Sequence, residues 1–329
     1  MTTASRTPVG AAARAGLARL LARLEDAGYA FVAPTPATHA LVAARLSRAR
    51  PGNLRDMFGW GRAFTASDLD PVLIDDLTAA GGLRREEDRL YSRYRVSTLD
   101  GRLHLHSARA SESQAVFLGP DSYRFVRFVT DALGERPWSR AVDLGAGAGA
   151  GALALSARRG QGEVVAIDVN PAALRCLEAN AAHAGLPVTP VLGDGLAGTT
   201  GSFDLVIANP PYIAGRGGRT YRDGGGLYGA ELALSWVGQA LRRLSPGGRM
   251  LLYTGAPVVE GRDLVRAALT DLAAGAGAAL GYEEIDPDVF GSSLRAPAYA
   301  EVERIAAVGA VLTRQACERE AAPTPRQPA

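Results

Sequence analysis

From residue 141 onwards, apolar segments with the period of a strand alternate with segments that have the period of a helix. Such alternation is typical of a doubly wound sheet, in which helices join parallel strands and cover both faces. The predicted strands are residues 141–144, 164–168, 188–192, 205–208, 250–254, 282–286 and 305–312. The predicted helices are residues 149–158, 171–184, 228–244 and 261–273. The sequence therefore predicts an α/β fold with seven strands.

The N-terminal third has a different pattern. Leucines at helical spacing predict a helix over residues 16–27, and Thr35 with Pro36 can begin a second helix that runs to about residue 50. A further short helix is predicted over residues 74–80. Residues 89–96 and 102–106 then alternate like two strands of one hairpin around the turn signal Leu99-Asp100-Gly101.

These elements predict a small, mainly helical, winged-helix-like domain ahead of the sheet. The predicted divisions are a docking or acceptor-covering domain at residues 1–110, a catalytic domain at 111–315 and a disordered tail at 316–329. The first of these holds 16 arginines against 11 acidic residues, a difference of +5. Contact with nucleic acid and contact with a protein acceptor both remain open for this domain.

Composition excludes several function classes. The 36 basic residues are all arginine, so no lysine can act as a Schiff base, and the formal charge is only +2. No apolar run approaches the ~20 residues that cross a bilayer, and we expect a cytoplasmic location with no membrane partner. Cys176 and Cys317 lie far apart, and His104 and His106 have no third ligand at a suitable spacing. We therefore expect no metal site.

Three successive predicted strands each end at an aspartate. The first strand ends in the glycine-rich loop Asp143-Leu144-Gly145-Ala146-Gly147, in which Gly145 and Gly147 let a ligand approach the backbone. Asp143 can organise the site around an ammonium group, and Asp168 can accept both ribose hydroxyl protons. Asp194 can accept from an adenine amino group. These positions favour S-adenosylmethionine as the cofactor, with S-adenosylhomocysteine as the product.

The fourth predicted strand ends in Asn209-Pro210-Pro211-Tyr212, a tetrapeptide that resembles the acceptor motif of class I N-methyltransferases. The Asn209 side-chain oxygen and the Pro210 carbonyl can accept the two hydrogens of a planar nitrogen, whose delocalised lone pair makes it a poor nucleophile. Pro210 and Pro211 fix the backbone, and Tyr212 can stack on the flat acceptor and the sulfonium. We expect Asn209, Pro210 and Tyr212 to be catalytic, with Asn209 also near the cofactor.

Residues 116–314 resemble the release-factor glutamine-N5 methyltransferases and their wider relatives. The resemblance rests on Asp143, Asp168 and the acceptor motif, together with Gly119-Pro120-Asp121 and Asp223-Gly224-Gly225-Gly226-Leu227. It implies a seven-stranded Rossmann-like methyltransferase sheet whose last strand is antiparallel, with Asn209 and Pro210 orienting the acceptor.

Three parts of the chain depart from the pattern of that family. Its N-terminal domain is all helical, whereas this one ends in a predicted hairpin. The loop that contains Arg216, Arg219 and Arg222 is rich in arginine and glycine, and residues 286–299 form an insertion. Arg216 and Arg219 are candidate substrate-binding residues beside Pro211 and Tyr212, and they can clamp an acidic acceptor or remain solvated.

The sequence thus predicts an S-adenosylmethionine-dependent N-methyltransferase. Its acceptor is a planar or amide nitrogen of a protein glutamine or a small metabolite. The alternative acceptor is a nucleic-acid base, at adenine N6 or guanine N2. The sequence leaves the oligomeric state open.

Overall fold

The computed structural model describes residues 11–46, 51–109, 114–158, 162–214 and 224–315. The predicted tail at 316–329 and the arginine-rich loop therefore lie outside the described residues, as do residues 47–50 at the predicted end of the second helix. Among the described residues, no helix combines the length and the apolar character that a membrane span requires.

The N-terminal part contains three α-helices and two hairpins. The helices are α1 (Ala11–Asp26), α2 (Pro36–Leu46) and α3 (Pro71–Ala79), and the strands are β1 (Leu83–Glu86), β2 (Arg89–Ser92), β3 (Tyr94–Leu99) and β4 (Arg102–Ser107). Thr35 accepts a hydrogen bond from the Thr38 amide at 3.2 Å, which confirms it as the residue that begins α2. The predicted mainly helical region that ends in a hairpin is confirmed.

The prediction of one continuous strand over residues 89–96 is wrong. Strand β2 pairs with β1, and β3 pairs with β4 in a separate sheet. The chain breaks between them because the Ser92 hydroxyl donates to the Tyr94 carbonyl at 2.7 Å and accepts from the Tyr94 amide at 3.0 Å. Such local side-chain bonds compete with a strand ladder. Period-two alternation identifies strands but does not identify their partners.

The sheet predicted from residue 141 onwards is present. Its strands are β5 (Arg140–Leu144), β6 (Glu163–Asp168), β7 (Thr189–Leu192), β8 (Phe203–Ala208), β9 (Leu244–Val259), β11 (Ala278–Asp286) and β12 (Arg304–Arg314), and a short strand β10 (Arg262–Asp263) pairs with β9. They lie in the order β11-β12-β9-β8-β5-β6-β7. Strands β5 to β9 are parallel, and β12 runs antiparallel between β9 and β11. The seven-stranded Rossmann-like sheet with an antiparallel last strand is thus confirmed.

Helices cover both faces of this sheet. They are α4 (Pro120–Leu133), α5 (Ala150–Arg158), α6 (Pro171–Ala184), α7 (Gly226–Gly229), α8 (Glu231–Arg243) and α9 (Leu264–Gly275). Successive strand residues point to opposite faces, so Ala141 packs in a cluster with Phe125 of α4, whereas Val142 packs in a cluster with Trp236 of α8. Burial on both faces explains why the strands read as continuous apolar runs.

Helix α8 begins three residues later than predicted. Leu227 and Tyr228 have φ angles of 50° and 53°, in the left-handed region, so the chain does not enter the helix until Glu231. Gly229 lies so close to the segment after β8 that a Cβ there would be 2.7 Å from the Tyr212 carbonyl oxygen. This tertiary contact overrides the helical pattern of the sequence.

The N-terminal elements pack directly on α6. Leu17, Leu20 and Leu21 of α1 share a hydrophobic cluster with Cys176 and Ala179. Cys176 is buried with a free thiol. His104 and His106 are also buried, and His106 Nε2 lies 2.9 Å from the Ser97 hydroxyl. The domain boundary near residue 110 stays a prediction.

Candidate active site

The carboxyl ends of β8, β5, β6 and β7 lie side by side at one edge of the sheet. The chain leaves β5 towards β6 on one side and reaches β8 on the other, so the strand order reverses beside β5. Ligands of doubly wound sheets bind at this kind of switch point. A cavity of about 1040 Å³ opens there, and it is lined by the predicted residues Asp143, Gly145, Gly147, Asp168, Asp194, Asn209, Pro210, Pro211 and Tyr212. The structure thus brings the predicted cofactor residues and the acceptor motif together.

Asp168 orders the glycine-rich loop. Its Oδ2 accepts a hydrogen bond from the Gly147 amide at 2.8 Å, and its Oδ1 accepts from the Asn170 amide at 2.8 Å. Helix α6 is capped by Asn170, whose side chain accepts from the Ala172 amide at 2.9 Å, so Asp168 is not needed as its cap. A carboxylate offers about four acceptor positions. Asp168 can therefore accept from two ribose hydroxyls while it holds the loop.

Asp143 is buried at the end of β5. Its Oδ2 accepts from the Ala152 amide at 2.7 Å, at the start of α5. Burial and the nearby Asp168 carboxylate raise the pKa of Asp143 to about 8, and the Ala152 hydrogen bond offsets part of this. Burial likewise raises the pKa of Asp168. Burial thus disfavours the ionised form of both carboxyl groups. A ligand with a positive charge, such as the ammonium group of S-adenosylmethionine, would stabilise that form.

Gly145 and Asp194 are further predicted cofactor positions on the cavity wall. Gly145 has a φ of 67°, and a Cβ there would lie 2.7 Å from the ring of Trp236. Only glycine fits this position between helix α8 and the cavity. Asp194 follows β7, is exposed and lines the far end of the cavity, where an adenine amino group is expected. The donor and acceptor groups present therefore fit S-adenosylmethionine.

The acceptor motif continues directly from β8. Tyr212 is only 7% exposed, although it lines the cavity. Its ring meets the rings of Tyr253 and Phe290 edge to face, with centroids 6.5 Å and 5.6 Å away. Burial and the neighbouring Asp121 carboxylate raise the pKa of Tyr212 well above its ordinary value. The ring is thus a fixed part of the wall, and its predicted stacking on a flat acceptor stays a prediction.

Two further residues of the cavity wall were not predicted as site residues. Asp121 in the first turn of α4 is buried and accepts from the Tyr253 hydroxyl at 3.1 Å, and burial raises its pKa. The sequence signal that could have identified Asp121 was its place in Gly119-Pro120-Asp121, which is part of the family resemblance. Phe290 belongs to the 286–299 insertion, where no motif marks it.

The predicted substrate-binding residues Arg216 and Arg219 lie outside the described ranges, as does Arg222. No group of three or more His, Cys, Asp or Glu side chains within the described ranges could hold a metal ion.

Comparisons with known proteins identify methyltransferases as relatives of this chain. A family model described as "Methyltransferase small domain" matches residues 126–260. The release factor glutamine methyltransferase of Deinococcus radiodurans is 31% identical over 176 residues, which are 50% of this chain and 63% of the relative. The chain thus spans less than two thirds of the length of that relative.

The release factor glutamine methyltransferase of Bordetella pertussis is 30% identical over 226 residues, which are 64% of this chain and 83% of the relative. Among solved structures, wild-type Trm5b from Pyrococcus abyssi superposes with a TM-score of 0.49 at 19% identity, over 70% of this chain and 62% of that chain. On the sequence match across most of the Bordetella protein, this chain belongs to the release factor glutamine methyltransferase family, a family of S-adenosylmethionine-dependent methyltransferases.

Proposed function

We propose that this protein methylates the side-chain amide nitrogen of a glutamine in a peptide-chain release factor. One observation carries the proposal: the acceptor motif and the three strand-end aspartates line the same cavity. The acceptor is inferred from the relatives, which are release factor glutamine methyltransferases. A cytoplasmic location stays a prediction.

The chain's own residues bind and orient the two reactants. Asp168 and Asp194 would hold the nucleoside part of the cofactor, and Asp143 would balance the charge of its ammonium group. The bound cofactor supplies an electrophilic methyl group on a sulfonium sulfur. The Asn209 side-chain oxygen and the Pro210 carbonyl accept the two amide hydrogens, which orients the nitrogen and increases its electron density. The nitrogen–methyl bond forms as the sulfur–methyl bond breaks, and the methylated amide releases one of its two protons to water. Alignment and electrostatics, without a covalent enzyme intermediate, then provide the rate increase.

Radiolabelled methyl transfer tests this function. The full-length protein is incubated with methyl-labelled S-adenosylmethionine and a purified release factor, and the labelled residue is identified by mass spectrometry. We expect label on one glutamine, and a release factor with that glutamine replaced by asparagine should stay unlabelled. A purified release factor that stays unlabelled would contradict the proposed acceptor.

A second candidate is methylation of a nucleic-acid base. The observation that favours it is the surplus of five positive charges in residues 1–110. Binding to phosphates releases counterions, so affinity for a nucleic-acid acceptor should fall steeply as salt rises. An affinity for the acceptor that does not change between low and physiological salt would exclude this candidate.

A further inference from the structure

The insertion at residues 286–299 crosses the acceptor end of the cavity between β11 and β12. It is tied down at several points along its length. Asp286 accepts from Arg124 at 2.8 Å, and the Val289 amide donates to the Ile305 carbonyl at 2.7 Å. At its far end the Tyr299 hydroxyl accepts from the Ala214 amide at 2.6 Å, two residues after the acceptor motif. The insertion is therefore a fixed wall, and one of its anchors is the segment that follows the acceptor motif.

Phe290 occupies a position in this wall that is costly for its type of side chain. Its φ of 57° and ψ of 32° lie in the left-handed region, which bulky residues rarely adopt. The Ser293 amide holds this turn by donating to the Phe290 carbonyl at 2.7 Å. Strained residues of this kind persist where the surroundings hold them, and they concentrate at functional sites.

The ring of Phe290 is directed at the acceptor motif. It meets Tyr212 at a centroid distance of 5.6 Å and an interplanar angle of 71°, and it is only partly buried. It lines the same cavity as Asn209 and Pro210. A flat group whose nitrogen meets the Asn209 and Pro210 oxygens therefore has an aromatic wall beside it, and this wall comes from a segment that departs from the family pattern.

We propose that Phe290 is a specificity-determining residue of the acceptor site, against which the plane of the acceptor carboxamide packs. This inference rests on the proposed function and deepens it. The ring packs on the plane of the amide in the bound complex and in the transition state alike, while the Asn209 and Pro210 oxygens orient the nitrogen. A leucine of similar size fills space but offers no flat surface. The flat contact should therefore strengthen acceptor binding by more than the burial of apolar area alone.

Three variants of the full-length protein test this inference: Phe290→Leu, Phe290→Tyr and the control Leu294→Ala. Leu294 packs in the same insertion against the core but does not line the cavity. The measurements are KM and kcat for methylation of the purified release factor, and the Kd of S-adenosylhomocysteine. We expect Phe290→Leu to raise the acceptor KM about tenfold or more, with kcat and the Kd changed less than threefold.

Phe290→Tyr keeps the ring and should restore a KM near that of the wild type, whereas Leu294→Ala should change the melting temperature and leave KM unchanged. An unchanged KM in Phe290→Leu, or an equal rise in Leu294→Ala, would overturn the inference and leave the proposed function standing. If the wild-type protein transfers no methyl group to the release factor, the proposed function fails, and this inference fails with it.

Discussion

Asn180 donates a hydrogen bond from its side-chain amide to the backbone carbonyl of Ala148, at 2.9 Å. The same side chain accepts from the Leu105 amide at 2.8 Å and donates to the Leu105 carbonyl at 3.1 Å. One fully buried side chain on α6 thus joins the N-terminal hairpin to the glycine-rich loop of the cavity. The N-terminal part therefore supports the cofactor end of the site, whatever else it contacts.

Replacing Asn180 with alanine should weaken both the fold and the cofactor site. The buried Leu105 amide and the Ala148 carbonyl would lose their partner, at a cost of about 2–4 kcal/mol in the free energy of unfolding. Urea denaturation measures this loss, and the Kd of S-adenosylhomocysteine should rise because the loop loses a support. The control Ala182→Ser lies on the exposed face of α6 and should change stability by less than about 0.5 kcal/mol. Equal effects of the two variants would contradict the bridging role.

Binding of S-adenosylhomocysteine should depend on pH through Asp143. The free protein holds a proton on this carboxyl below its pKa of about 8, whereas the ligand's ammonium group favours the ionised carboxylate. Binding below pH 8 therefore releases a proton. Affinity should increase as pH rises from 6 to 8, by at most about tenfold per pH unit, and then level off.

Isothermal titration calorimetry in buffers of different ionisation enthalpy measures both the affinity and the released proton. Asp143→Asn keeps an oxygen for the Ala152 amide but cannot ionise, so its binding should show no such slope. An affinity of the wild-type protein that falls between pH 6 and 8 would be incompatible with this assignment.

Asn209→Ala should remove methyl transfer and leave the cofactor bound. The alanine side chain cannot accept an amide hydrogen, so the acceptor nitrogen loses both its orientation and its increased electron density. We expect the transfer rate to fall about 100-fold or more, by analogy with the loss of one hydrogen bond that forms in a transition state. The Kd of S-adenosylhomocysteine should change less than threefold. Unchanged turnover would refute the catalytic assignment of Asn209.

Gly255→Ala should damage the acceptor end of the site alone. The Tyr212 ring packs so closely on β9 that a Cβ at Gly255 would overlap it. The ring must then move, and the acceptor motif moves with it. We expect methyl transfer to fall at least about tenfold while S-adenosylhomocysteine still raises the melting temperature.

Gly275→Ala is the matched control, because apart from its chain neighbours and the backbone of its own helix no described atom lies within 4 Å of a Cβ placed at the last residue of α9. It should leave activity unchanged and the stability equal or slightly higher. Full activity in Gly255→Ala would show that the position of the Tyr212 ring does not matter for transfer.

Local sequence patterns were enough to predict the sheet and the main positions of the candidate site. Apolar runs and glycine-rich turns are local patterns, so the strands that end at Asp143, Asp168 and near Asp194 could be predicted to within a few residues. Parallel strands in a doubly wound sheet present their carboxyl ends at one edge, and for this reason the aspartates and Asn209 meet in one cavity.

Tertiary structure alone decided which surfaces meet. Strands β2 and β3 separate because each pairs with a different neighbour, and alternation carries no information about partners. Leu227, Tyr228 and Phe290 adopt left-handed backbone against their intrinsic preference, since contacts around the acceptor motif hold them there. Asn180 reads as an ordinary polar helix residue, and its three hydrogen bonds link positions that are 75 and 32 residues away in the chain. Local sequence patterns encode the period of an element, whereas contacts between distant segments depend on how the whole chain packs.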